Sequence, residues 1–185
     1  MRDTSEGRHA TAVGIRGLRR VVYDRDRISR RVEELGAAID GHYEPGDDLL
    51  VLGLLKGSFI FLADLVRTIQ RPLHVDFLVA SSYGHGMVST GEVEFLYDPD
   101  VTIADRNVVL VEDIVDSGAT MTRLVPILEG RKPKSLEVCT LLHKRLPQVK
   151  LEPRWVGFDA PPEFLVGYGL DHAEDFRHLP FIGSL

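Results

Sequence analysis

Val108-Val109-Leu110-Val111-Glu112-Asp113-Ile114-Val115-Asp116-Ser117-Gly118-Ala119-Thr120 is the stretch on which the reading of this chain turns. Its four leading aliphatic residues read as a strand buried on both faces, the pattern of a parallel sheet. Two adjacent acids follow, then a third, then a small-residue turn that leads into a helical pattern. In open α/β sheets ligands bind outside the carboxyl ends of the strands, which is where these acids are expected. Ser117, Gly118 and Thr120 add hydroxyls, a permissive backbone and the amides of a helix start, a combination suited to a phosphate. Acids for sugar hydroxyls or a metal, beside amides for a phosphate, describe a sugar-phosphate site. A helix cap at Asp116 or Ser117 accounts for only one of these residues. It leaves unexplained why Glu112 and Asp113 follow a buried strand, where unpaired charge is costly.

Outward from this stretch the chain alternates. From Asp26, Ile28, Val32, Leu35 and Ile39 are spaced for one helix face, and Gly41 and Pro45-Gly46 end the segment. Leu49 to Leu54 reads as a buried strand, and Phe59, Leu62, Ala63, Val66 and Ile69 as a second helix opened by Gly57-Ser58. Leu73 to Ala80 alternates as a strand, and a Gly/Ser-containing loop runs to about Gly91. Met121 to Glu129 suits a helix except for Pro126, which predicts a kink or an early end. Leu136 to Leu142 reads as a further buried strand, and past Arg145 the chain turns irregular around Pro147, Pro153, Pro161 and Pro162. The order is that of an α/β fold, a mostly parallel twisted sheet flanked by helices. Residues 1–18 read as a loose N-terminal arm and 19–185 as one domain.

A chain of 185 residues suffices for one domain with a sizeable core and is short for two. A formal net charge of −6 argues against a protein that grips nucleic acid through a basic surface. It is compatible with an anionic small substrate, because metal ions and local amides supply positive field. Cys139 is the single cysteine, so no intramolecular disulfide forms, and its apolar surroundings in sequence mark it as a core thiol rather than a nucleophile. No secretory pattern or membrane-length apolar run is present, and a cytoplasmic enzyme without membrane or nucleic-acid partners is the expectation. GLLKGS lacks the glycine spacing of a Walker A loop, and Gly84-His85-Gly86 lacks the third glycine of a dinucleotide fingerprint.

VVLVEDIVDSGATMT resembles the phosphoribosyl pyrophosphate signature of type I phosphoribosyltransferases, in the form found in the hypoxanthine-guanine enzymes. Leu54-Leu55-Lys56-Gly57-Ser58, Ala80-Ser81-Ser82-Tyr83-Gly84, Leu141-Leu142-His143-Lys144-Arg145 and Phe164-Leu165-Val166-Gly167-Tyr168-Gly169-Leu170-Asp171 are similar to the same family in the same order. The likeness runs from about Val22 onward.

The resemblance implies transfer of ribose 5-phosphate from phosphoribosyl pyrophosphate to N9 of a 6-oxopurine, with Mg²⁺ as cofactor. It implies that Glu112 and Asp113 address the ribose hydroxyls, partly through metal-bound water, and that Asp116 stands near purine N7 as the catalytic acid-base group. Asp116, Ser117, Gly118, Ala119 and Thr120 would bind the 5-phosphate. Leu55, Lys56 and Gly57, with a non-proline cis peptide before the lysine, would bind pyrophosphate together with Arg177. Ser82 and Tyr83 would belong to a lid that excludes water. Lys144 would donate to the purine 6-oxygen, Phe164 would stack on the base, the Leu165 backbone would read its edge, and Asp171 would hold a second Mg²⁺. A hood formed largely by about residues 145–185 and a homodimer or homotetramer are implied as well. His172 and His178 have no closed-zinc spacing.

Three positions depart from the family pattern: Leu165 stands where valine is common, His143 precedes the lysine, and Gly91-Glu92 occupies a lid position that often carries Arg or Lys. Two other readings stay open. One is a regulatory module that senses phosphoribosyl pyrophosphate on this fold, which would need a basic nucleic-acid face or an added domain. The other is a transferase that prefers xanthine.

Overall fold

In the computed structural model, which describes residues 17–81, 94–147 and 152–185, the expected alternation of strands and helices is present. The elements in chain order are β1 (Arg20–Tyr23), α1 (Arg25–Asp40), β2 (Leu49–Leu54), α2 (Phe59–Thr68), β3 (Leu73–Ser81) and β4 (Glu94–Tyr97), then β5 (Asn107–Val115), α3 (Ala119–Glu129), β6 (Ser135–His143), β7 (Trp155–Asp159), β8 (Leu165–Val166) and β9 (Ile182–Ser184). Six strands form one sheet in the order β4-β3-β2-β5-β6-β7. All neighbours in it are parallel except β3 and β4. The sheet is therefore the mostly parallel one expected. Strand β4 lies beyond the loop expected from the sequence and pairs antiparallel with β3.

Alternation along the strands sends side chains into two cores. Leu49, Val51, Val109 and Val111 pack with α1 and α2 on one face, whereas Leu50, Leu52, Val108 and Leu110 pack with α3 on the other. Both faces of β2 and β5 are thus covered, which is why these strands read as unbroken apolar runs. Helix α1 starts where the Asp24 carboxylate accepts the Arg27 amide at 2.8 Å, and it buries Ile28, Val32, Leu35 and Ile39 as their spacing predicts.

Four expectations change. The run that begins at Val108 does not stop before the acids, because β5 continues through Glu112 and Asp113 to Val115, paired with β6 to its end. Of the residues expected on the buried face of α2, Leu62, Val66 and Ile69 pack in the core, while Phe59 is 43 % exposed and Ala63 faces solvent, and Phe61 and Leu65 are buried in addition. The physical reason is at Gly53, where a Cβ would come within 2.4 Å of Leu62 Cδ2, so Leu62 seats in the space the glycine leaves and fixes the rotation of the helix. Helix α3 runs through Pro126 to Glu129 rather than ending early. Met121 and Leu124 before the proline and Leu128 after it are all buried, and Thr122, whose carbonyl loses its partner, is exposed to water.

The fourth concerns the hood. A small three-stranded sheet, β1-β9-β8, takes its first strand from near the N-terminus, and β7 belongs to the large sheet. Strand β1 thus adds a strand from outside residues 145–185 to a sheet otherwise drawn from them. Tyr23 ties the two parts, its hydroxyl donating to the Asp159 carbonyl at 2.6 Å while its ring stacks on Phe158.

Pro126→Ala should restore an amide to α3 at an exposed position and stabilise the protein by about 1–3 kcal/mol. A rise in the midpoint of urea unfolding at unchanged slope is the expected outcome, and a fall would mean that the proline shapes α3 for its packing.

Candidate active site

The carboxyl end of β5 and the start of α3 enclose a recess of about 70 Å³ lined by Glu112, Ile114, Val115, Asp116, Ser117, Gly118, Ala119, Thr120 and Met121. Gly118 turns the chain into the helix with φ of 74°, a left-handed conformation that costs glycine little. No side chain caps α3 in the manner of a structural N-cap, and the Ala119 amide reaches the Ser117 hydroxyl only at 3.4 Å. The helix-cap explanation of this stretch therefore fails. Instead the amides at the start of α3 are left for an anion, on the positive end of the helix dipole.

Glu112 and Asp113 are neighbours in a strand and diverge, as side chains of adjacent strand residues do. Glu112 lines the recess, is 9 % exposed, and its Oε2 has no partner among the described residues. Burial raises its carboxyl well above the ordinary carboxylate range, and the neighbouring Asp113 charge adds to the rise. Asp113 is turned to the opposite side, toward Gly57. Burial pushes its carboxyl up to about 6, partly offset by the Ile114 amide, which donates to Oδ1 at 2.8 Å. The three acids of the signature therefore face two adjoining surfaces, Glu112 and Asp116 the recess and Asp113 the Gly57 loop.

Asp113 faces the loop between β2 and α2. The Leu55–Lys56 peptide is cis, and the Ser58 hydroxyl closes the loop by donating to the Leu54 carbonyl at 2.6 Å. A Cβ on Gly57 would lie 1.6 Å from Asp113 Oδ2, so only glycine fits there. From the other side Gly169, at φ of 101°, packs on the same residue, with a Cβ position 2.1 Å from the Gly57 carbonyl oxygen. Gly169 begins a tight turn that presents Asp171 and Arg177. Arg177 donates from Nη1 to the Gly169 carbonyl at 2.8 Å and pairs through Nη2 with Asp171 Oδ1 at 2.8 Å and Glu174 Oε2 at 3.2 Å. Lys56 Nζ meets Glu174 Oε1 at 3.1 Å.

At the end of β6, Lys144 Nζ pairs with Asp116 Oδ2 at 2.8 Å, although the two residues belong to different elements. The Lys144 amide donates to the Val115 carbonyl at 3.0 Å, so sheet pairing sets this approach. Phe164 is 53 % exposed and makes an edge contact with His172 at 5.4 Å, whereas Leu165 is buried in β8. His143 is 1 % exposed, with both ring nitrogens unpartnered among the described residues. Burial and then the Arg145 charge lower its pKa, which favours the neutral ring beside Lys144. Cys139 is fully buried and its thiol is pushed up by that burial, consistent with a core residue.

The acids, the small-residue turn, Lys56-Gly57 and Lys144 thus lie at the carboxyl edge of the large sheet in three groups, around the recess, around Lys56-Gly57, and around Lys144, whereas Phe164 contacts His172 and Leu165 lies in β8 of the small sheet. Ser82, Tyr83 and Gly91-Glu92 lie outside the described residues, as do residues 1–16 of the N-terminal arm and positions 148–151 of the hood. Among the described residues no cluster of three or more His, Cys, Asp and Glu is arranged to hold a metal by itself, so Asp171 does not complete a ready-made cage with Glu112 and Asp113. Sequence reading missed Gly169 and Glu174. Their partners are Gly57 and Lys56, far away in the chain, and no local pattern signals such contacts.

Residues 21–173 match the phosphoribosyl transferase domain family. The hypoxanthine phosphoribosyltransferase of Salmonella typhimurium is 48% identical over 160 residues, 85% of this chain and 90% of the relative. That of Buchnera aphidicola is 45% identical over 168 residues, covering 90% and 95%. Among solved structures, a hypoxanthine-guanine phosphoribosyltransferase from Bacillus anthracis superposes with a TM-score of 0.85 at 44% identity, covering 91% of this chain and 99% of the other. The hypoxanthine phosphoribosyl transferase of Trypanosoma cruzi does so with 0.86 at 32% identity, covering 93% of each. Site geometry, sequence and shape agree: the chain belongs to the phosphoribosyl transferase family, within its hypoxanthine phosphoribosyltransferase branch.

Proposed function

We propose that this protein is a purine salvage enzyme that transfers ribose 5-phosphate from phosphoribosyl pyrophosphate to N9 of hypoxanthine, and of guanine, releasing pyrophosphate. The Lys144–Asp116 contact carries the reading. It joins a cation suited to a purine 6-oxygen with an acid suited to N7, at the rim of a recess suited to a phosphate. A lysine ammonium only donates, so it pairs with the 6-oxygen of hypoxanthine and opposes the 6-amino group of adenine. Base selection follows from polarity.

The chemical difficulty is charge, since the ribose becomes cationic as an anionic leaving group departs. The first amides of α3, with the hydroxyls of Ser117 and Thr120, hold the 5-phosphate and fix the sugar over β5. Glu112 and Asp113 hold the ribose hydroxyls. Asp116 accepts or steadies the proton at N7 as the base reacts. Lys56, the amides of the Leu55-Lys56-Gly57 loop and Arg177 bind pyrophosphate. Phe164, about half exposed, stacks on the base. The Leu165 backbone reads its edge, and Ser82 and Tyr83 belong to a lid that keeps water from the cationic sugar.

The donor set fits Mg²⁺. Glu112 has a buried carboxylate oxygen without a partner among the described residues, Asp113 a largely enclosed carboxyl, and Mg²⁺ commonly needs only one or two protein carboxylates beside water and substrate oxygens. Glu112, Asp113 and Asp171 would hold it or its water, and when bound it neutralises charge on the phosphates. We further propose a homodimer or homotetramer acting in the cytoplasm. Among the described residues, no helix is long and apolar enough to cross a membrane.

With phosphoribosyl pyrophosphate and divalent metal, hypoxanthine and guanine should give their nucleotides and adenine none. Formation of only the xanthine nucleotide, or nucleic-acid binding without turnover, would replace this assignment. Asp116→Ala should lower kcat by about 10²–10⁴-fold while nucleotide binding stays measurable. Asp113 gives a prediction about stability. Its carboxyl titrates higher in the folded state than in the unfolded chain, so the folded protein binds more protons between about pH 4 and 6, and the group's contribution to stability falls as pH rises through that window. In metal-free buffer at pH 7, Asp113→Asn should therefore be more stable than wild type by about 3 kcal/mol, a difference that vanishes below about pH 4. Calorimetry across this range measures it.

A further inference from the structure

Glu174 does what a bound anion would do at the mouth of the site. Its two carboxylate oxygens are divided between two cations from different parts of the chain, Oε1 on Lys56 Nζ at 3.1 Å and Oε2 on Arg177 Nη2 at 3.2 Å. It stands at φ of 68°, between Ala173 at 53° and Phe176 at 77°, in a turn where three side-chain-bearing residues are left-handed. The turn is held by the Glu174 amide donating to Asp171 Oδ2 at 2.9 Å and by mutual backbone bonds between His172 and Asp175. The backbone thus projects this carboxylate across the gap to the loop of β2 and α2. Bonds from Lys56 and Arg177 hold the carboxyl below the usual glutamate range, which keeps it charged at neutral pH.

The two cations differ in what else holds them. Arg177 also pairs with Asp171 and donates to the Gly169 carbonyl, so it stays in place without Glu174. For Lys56 the structure gives Glu174 as its partner. An arriving pyrophosphate group must displace the Glu174 carboxylate from both, and on departure that carboxylate is already covalently present to take them back.

We propose that Glu174 is a positioning residue for the leaving group: it occupies Lys56 and Arg177 in place of pyrophosphate, weakens pyrophosphate binding and hastens its release. The inference rests on the reading of Lys56 and Arg177 as pyrophosphate ligands. Lys56 and Glu174 are both about two-thirds exposed, so each contact is modest and salt-sensitive.

The test uses the full chain with Mg²⁺ and measures product inhibition by inorganic pyrophosphate for wild type, Glu174→Gln and Glu174→Ala, with Lys56→Ala as reference. Both Glu174 variants should lower the inhibition constant for pyrophosphate by about two- to tenfold. The effect should shrink as salt rises from about 0.05 M to about 0.5 M. It should also be much reduced in the Lys56→Ala background. A residue that only supports the turn would weaken pyrophosphate binding when replaced, the opposite direction. An unchanged or raised constant in both Glu174 variants, with Lys56→Ala raising it strongly, overturns this inference alone. If Lys56→Ala itself leaves the constant unchanged, the assignment of the pyrophosphate site is what fails.

Discussion

The approach of the Asp113 carboxylate to Gly57 is the constraint from which the rest of the site is built. An oxygen of that carboxylate lies where the Cβ of any other residue would be, and Gly169 presses on the same peptide from the opposite side. Three segments of chain, the end of β5, the loop before α2 and the turn of the hood, are thus brought to van der Waals contact. Each contributes a different kind of group: carboxylates, a backbone loop with Lys56, and the Asp171–Arg177 pair. Their separation is set by the absence of two side chains rather than by long-range attraction.

Such closeness has an electrostatic cost. Glu112 and Asp113 are enclosed at the carboxyl end of a strand whose preceding residues are fully buried, and burial disfavours the charged form of both. A structure selected for stability alone would fill these positions with apolar residues. The cations nearby behave in a complementary way. Lys144 is paired with Asp116, and Lys56 and Arg177 with Glu174 and Asp171. Each of these cations is thus held by a protein carboxylate.

Much of this was legible in one dimension. The unbroken apolar runs at Leu49–Leu54 and Val108–Val111 announced strands covered on both faces, because only a parallel sheet between helices buries every residue of a strand. The spacing of Ile28, Val32, Leu35 and Ile39 gave the buried face of α1, since the packing of a helix on a sheet follows its own period. For α2 the same reasoning placed Leu62, Val66 and Ile69 correctly but not Phe59 and Ala63, because its composition is apolar nearly all round and Phe61 and Leu65 take the remaining core positions. Of the two outcomes expected at Pro126, a kink or an early end, the early end does not occur. Local propensity opposed the helix, and buried residues on both sides of the proline outweighed it.

The order of residues by itself determined the α/β class, the position of the acids at a sheet edge, the small-residue turn into a helix, and the family likeness that names the chemistry. These are properties of local pattern, and local pattern is what a sequence displays. Tertiary structure alone decided that Glu112 and Asp113 face different surfaces, that β1 joins the hood while β7 joins the large sheet, and that Glu174 reaches Lys56. Each of these depends on which distant segments approach one another and on how closely. That is fixed by packing in three dimensions, where a missing Cβ at Gly57 or Gly169 matters as much as any side chain that is present.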